Sequence, residues 1–294
     1  MTPHHFAHIG ERLRSRRQSA RLSTEAVARA AGISRALLYR YESGDIVKLE
    51  VLEKLARLYK TSTGALLGMG NEYITHGMVF FDRLQRLEER ATQMTVVFGP
   101  QAYVLSSAEY DTALVERLAD TRCDQTALEA PEVQRLMHLL GKRKAAFERN
   151  RTGLINIVPV DDIVRYLARG LGGNAQQAPA ERQARRQAAA LEMRRLAQMI
   201  AAPRMGVQIA LTTQQLPTTG FQLLQLPGRR VLVNSPFRIV EPTNLHYGVA
   251  MISEDEEALR LHESLAARLW ASALTGAAAS AEMERLLRDA AAEL

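Results

Sequence analysis

Residues 23–44 read STEAVARAAGISRALLYRYESG, and two serines punctuate the stretch. Ser23 and Ser34 each stand before a short apolar run, where a hydroxyl can accept from the free backbone N–H groups of a helix start. Val27, Ala28 and Ala31 give the first run an apolar stripe that stops at Gly32. Glycine suits the left-handed turn after a helix, because a Cβ would clash there. Leu37, Leu38 and Tyr41 are the apolar positions of the second run, Arg35–Ser43, and Gly44 stops it. The spacing predicts two short helices joined by a glycine turn. Ala28 and Ala31 are small enough to let the first cross its neighbour closely.

The flanks complete a small all-α unit. Ile9, Leu13, Arg16 and Arg17 share one face of a helix that ends near Ala20–Arg21. After Gly44, Val51, Leu52, Leu55, Ala56 and Leu58 mark a helix over 50–60, and a short one follows at 63–67. Five helices thus fill residues 1–70. A capped bracing helix, a glycine turn and a second helix with a polar face form a helix-turn-helix, whose second helix lies in the DNA major groove. There the pattern of donors and acceptors distinguishes all four base pairs. Charge points the same way. Residues 1–70 hold twelve of the 38 basic side chains and six of the 32 acidic ones, so the whole net charge of +6 falls in this segment. A compact basic head on a neutral body suggests a polyanion partner.

Gly10–Leu67 resembles the helix-turn-helix domain of phage Cro and repressor proteins, the xenobiotic-response-element family. The resemblance runs through Leu13–Arg17, Leu22–Ala28, Gly32–Ser34 and Tyr41–Gly44, then Leu52, Lys54, Leu55, Ala56 and Leu58. It implies that Arg35, Ala36, Tyr39 and Arg40 are the exposed positions of the recognition helix. Arg35 is the expected guanine reader, since a guanidinium can donate to both O6 and N7, and Ala36 can meet a thymine methyl. Ser34 is expected to cap that helix and touch a phosphate, and Arg17 and Glu42 to form a structural ion pair. Three departures stand out. Thr24 replaces a frequent phosphate-contacting glutamine, and Arg21 replaces a frequent glycine, which suggests a different turn. The usually basic loop after Gly44 keeps only Lys48. Thr24 and Lys48 therefore complete the expected DNA-binding set, and further phosphate contacts are expected from Arg12, Arg14, Arg16, Arg21 and Arg40.

Gly68–Met69–Gly70 marks a boundary. Ile74, Met78, Phe81, Leu84 and Leu87 recur at helical spacing, so residues 71–93 are read as a linker helix, either meeting its twin in a dimer or lying on the second domain. From residue 94 to 294 the periods alternate, which gives an α+β (mixed) domain. Strands are expected at 94–98, 153–158, 207–212, 221–226, 231–233 and 246–252, with Pro227–Gly228 as a hairpin turn. Helices are expected at 107–119, 131–149, 161–169, 179–201, 254–274 and 281–293, and Ala277–Ala281 as a loop or helix start. The order of these features resembles the ligand-sensing C-terminal domain that follows such a head in many bacterial regulators.

Neither a zinc-protease, nucleophile-elbow, phosphate-loop nor dinucleotide motif occurs in the chain. No catalytic residue, cofactor or metal is therefore expected. Asp161–Asp162 reads as a helix cap, His4, His5 and His8 as a free arm, His138 and His246 as packing residues, and Trp270 as core. The single Cys123 excludes a disulfide framework and reads as an ordinary thiol. With no long apolar run, the expected location is the cytoplasm. The expected function is sequence-specific transcription regulation by a homodimer on palindromic double-stranded DNA, with a small-molecule effector as a further partner of the large domain. The alternatives are an enzyme with a DNA-binding head, or an antitoxin-like interaction protein.

Overall fold

The computed structural model describes residues 4–45, 47–67, 71–119, 128–172, 178–214, 220–239 and 245–292, with side chains from residue 9 onward. The head has the five expected helices: α1 (His4–Ser19), α2 (Thr24–Ala31), α3 (Arg35–Glu42), α4 (Leu49–Leu58) and α5 (Thr63–Leu67). Their apolar stripes meet in one core around Leu13, Val27, Leu38, Leu52, Leu55 and Leu66. At Gly10 a Cβ would stand 2.6 Å from the Tyr41 carbonyl oxygen, so only glycine lets α1 cross the end of α3 at this distance.

The rest is a seven-stranded sheet with helices, as the alternating periods predict. In chain order it comprises β1 (Asn71–Ile74), α6 (Gly77–Glu88), β2 (Gln93–Val97), α7 (Ala108–Ala119) and α8 (Ala130–Asn150). There follow β3 (Gly153–Pro159), α9 (Val160–Arg169), α10 (Pro179–Ala201), β4 (Val207–Thr212), β5 (Phe221–Leu226) and β6 (Arg229–Asn234). Last come β7 (Ala250–Ser253), α11 (Glu256–Ser272) and α12 (Gly276–Ala292). The strands lie in the order β1-β7-β6-β5-β2-β3-β4. β2, β3 and β4 are parallel, so each pair needs a helical crossover, and the other neighbours are antiparallel. Gly228, with φ +75°, makes the β5–β6 turn.

Both faces of the sheet are covered. Leu154 and Val158 of β3 join the large core with α6, α8, α10 and α12, whereas Ile157 joins Leu259, Ala266 and Leu269 of α11 on the other face. That two-sided burial matches the near-continuous apolar run of a central parallel strand.

Residues 71–93 are not one linker helix. Asn71–Ile74 form an edge strand paired with β7, and α6 is buried through Phe80, Phe81, Leu84 and Leu87 in the large core, which leaves its apolar stripe no face for a twin. The last strand starts later than expected, at Ala250, and the closing helix starts earlier, with 277–281 inside α12. Asp161 and Asp162 do not cap α9, which starts after Pro159. Asp162 instead accepts from the Gly99 N–H at 3.1 Å and pairs with Arg165 at 2.9 Å, tying α9 to the segment after β2. Trp270 is half-buried at the rim of the α11 cluster, and His138 is exposed rather than packed. Gly68–Gly70, Cys123 and the side chains of His4, His5 and His8 lie outside the described residues. Among the described residues, no helix is long and apolar enough to cross a membrane.

Candidate nucleic-acid interface

Both caps form as the serines predict. Ser23 Oγ accepts from Ala26 N and Ser34 Oγ from Leu37 N, each at 3.1 Å. Gly32, at φ +71°, returns its N–H to α2. Only a lysine tip comes within 4.0 Å of where its Cβ would lie, so the positive φ and not crowding selects glycine. Arg21 also takes a left-handed φ, +53°. The departure from glycine therefore leaves the α1–α2 turn in the conformation that glycine favours, contrary to the different turn expected.

The orientation of α3 is set by burial of Leu38 and Tyr41 and by a bidentate ion pair. Arg17 Nε and Nη2 meet the two oxygens of Glu42 at 2.7 and 2.9 Å, with both side chains largely buried. The bond to Glu42 raises the Arg17 pKa further, against the opposing cost of burial. What remains outward on α3 is one stripe: Arg35, Ala36, Tyr39 and Arg40 are all exposed, and Tyr39 shows half its surface. The expected recognition residues thus share one face, with Ser34 at its N-terminal end.

The stripe is not a bare row of cations. Arg35 pairs with Glu25 of α2 at 2.9 Å, and Arg40 with Asp45 at 2.6 Å. The Glu25 carboxyl is held below its ordinary range, first by its own backbone N–H at the helix start and then by the Thr24 hydroxyl, with Arg35 adding a smaller part. Thr24 itself is buried, its hydroxyl donating to Glu25 at 3.1 Å. Lys48 is exposed at the start of α4, and has no ion pair among the described residues. Glu25 and Asp45, which govern the two exposed arginines, were not singled out in the sequence. Their signal is the acidic first turn of α2 and the acid directly after Gly44.

The opposite face of the head meets the body, and here the expectation for Arg12 and Arg16 fails. Arg12 is buried and bonded to Glu254, which also holds Arg229. Arg16 Nη1 donates to the Tyr73 carbonyl at 2.8 Å, and burial lowers its pKa against the pull of Glu72. Glu11 reaches Arg83 at 2.8 Å and Arg90 at 3.3 Å. Arg83, 2 % exposed, bonds Glu72 at 3.1 Å as well. Burial acts to lower the Arg83 pKa, and Glu72 and Glu11 together outweigh it and raise it. Arg12 and Arg16 therefore serve the seam between head and body, not an outer phosphate surface.

A family model described as a helix-turn-helix domain matches residues 8–67, the span from α1 to α5, and leaves everything from Asn71 onward outside it. No curated protein matches the chain.

Proposed function

We propose that the chain is a sequence-specific transcriptional regulator of the Cro/repressor (xenobiotic-response-element) type, in which the head reads double-stranded DNA through α3. The observation that carries this reading is the exposed stripe Arg35–Ala36–Tyr39–Arg40 on a helix whose roll is fixed by two caps and the Arg17–Glu42 pair, within a span that matches a helix-turn-helix model. Such a helix enters the major groove with its N-terminal residues at base edges. Arg35 and Ala36 are then the base readers, Tyr39 and Arg40 reach bases or phosphates, and Ser34 and Lys48 hold the backbone.

Approach of a phosphate strand gives Arg35 and Arg40 a stronger set of acceptors than Glu25 and Asp45. Exposed pairs of this kind contribute only about 0–1 kcal/mol, so exchanging them costs little. Two copies related by a two-fold axis would place their recognition helices about 34 Å apart, one turn of DNA. The body supplies dimerisation and effector sensing in this reading, and no catalytic step is assigned to it.

The test is selection of sites from a random duplex pool, followed by gel shift over a salt series. A palindromic consensus, retention at moderate salt and a linear fall of log affinity with log salt are expected. Retention without any sequence preference would overturn the regulator reading. Light scattering at the concentrations of the shift assay checks the dimer, and a strictly monomeric chain on single half-sites removes that part alone.

A further inference from the structure

The parallel and antiparallel halves of the sheet part at β2, with β3 on one side and β5 on the other. Beside that junction, among the segments that follow β2 and β6 and the start of β5, lies a cavity of about 300 Å³, the size of a small-molecule site. Phe81, Phe98, Tyr166 and Phe237 give it aromatic walls.

Three lining side chains have a buried polar atom with no hydrogen-bond partner. Gln101, 7 % exposed, donates its amide to Glu192 Oε1, which also accepts from Ser107 N at 3.0 Å. That arrangement fixes the amide and leaves Gln101 Oε1 without a donor. Gln222, also 7 % exposed, likewise has a free Oε1. Arg143, 4 % exposed, gives Nε and Nη2 to Glu88 at 2.6 and 2.9 Å, and its Nη1 has no partner. Buried polar atoms are nearly always satisfied, and these three belong to side chains that line one cavity. Charge narrows the class. Arg165 and Arg169 also line the cavity, and among the described residues its one carboxylate is Asp162, which pairs with Arg165 at 2.9 Å, so Arg169 is the cation left to meet an anion.

We infer that this cavity binds a small aromatic acid. Its ring lies among the phenylalanines, and its ring hydroxyl gives a proton to a glutamine oxygen or accepts from Arg143. Its oxyanion, a carboxylate or a phosphate, meets Arg169. Any effect of that ligand on DNA affinity rests on the regulator reading above, whereas occupancy of the cavity does not and is measured without DNA.

Calorimetric titration of the full chain tests it with 4-hydroxyphenylacetate and 4-hydroxyphenyl phosphate. Saturable one-to-one binding of either is expected, and the preferred one identifies the oxyanion. Tyrosol, phenylacetate and adipate lack in turn the charge, the hydroxyl and the ring, and each is expected to bind at least tenfold more weakly. R169Q, on an exposed residue, is expected to weaken the acids tenfold and leave tyrosol unchanged. Q222M, checked for folding by circular dichroism, is expected to weaken the hydroxylated ligands and leave phenylacetate unchanged. Absence of saturation by both acids, or binding indifferent to both folded variants, overturns the inference.

Discussion

Arg35 and Arg40 on α3 and Arg12 and Arg16 on α1 are the same side chain in two electrostatic settings. The α3 pair is exposed, each guanidinium resting on one surface carboxylate. The α1 pair is turned into the body, where Arg12 meets Glu254 and Arg16 meets the Tyr73 carbonyl. A charge that has kept its water can exchange partners at little cost, and one that has lost it cannot. The head's net charge of +6 over residues 1–70 is therefore not a uniform footprint. Burial divides it into a part that can meet a polyanion and a part that fixes the head on its body.

The largest effect is expected from breaking the buried side. R83L leaves Glu72 and Glu11 facing each other without their shared cation. Removing one partner of a buried network costs about 3–5 kcal/mol, and urea unfolding should register a loss of that size. A loss below about 1 kcal/mol would mean that water already screens the seam. The exposed side should respond differently. R35A is expected to leave the unfolding midpoint in place, to cost about 1–3 kcal/mol of DNA binding and to relax preference at one base pair. Unchanged base preference would transfer the reading role to another residue of the stripe.

The contrast between the two sides also explains what the sequence made legible. The caps at Ser23 and Ser34 and the turn at Gly32 are decided within a few residues, so α2 and α3 fall where expected. Val207–Thr212, Phe221–Leu226 and Pro179–Ala201 likewise match to the residue. The strand β1 escaped because its inward positions are Glu72 and Ile74. A buried glutamate spoils the apolar alternation of a strand, and its burial is tolerated through Arg83, from the next helix, with Arg16 nearby. The seam itself was invisible for the same reason, since Glu11–Arg83 and Arg12–Glu254 join distant parts of the chain. The cavity is assembled from α6, α8, α9, β5 and the segments after β2 and β6, none of which carries a local signature.

A smaller change should sharpen the exposed side. Glu25 holds Arg35 at 2.9 Å and presents a negative charge beside the stripe, so in the proposed reading it would compete with DNA for that guanidinium. E25Q is expected to tighten DNA binding by a few-fold, about 1 kcal/mol or less, with the gain shrinking as salt rises. Fluorescence anisotropy on one fixed duplex measures it. Weaker binding in E25Q would show instead that Glu25 orients Arg35 for its base.

The smallest effect tests where the two sides meet. His76 is half-buried just before α6, its ring edge-on to His246 with centroids 6.1 Å apart. Its pKa lies below the ordinary 6.5, first because burial disfavours the charged ring, and then through Arg21 of the head, His246 and Arg135, with Glu132 opposing. The unfolded chain then takes up a proton before the folded one does. Stability from this group is complete above about pH 6.5, is lost as pH falls from there through the folded pKa, and changes no further below it. H76Q should flatten that part of the pH dependence of the melting temperature. R21Q removes the head's contribution alone, so the His76 ring resonances should titrate at higher pH in that variant. An unmoved titration would place Arg21 too far into solvent to influence the ring, and would confine the coupling of head and body to the buried ion pairs of α1.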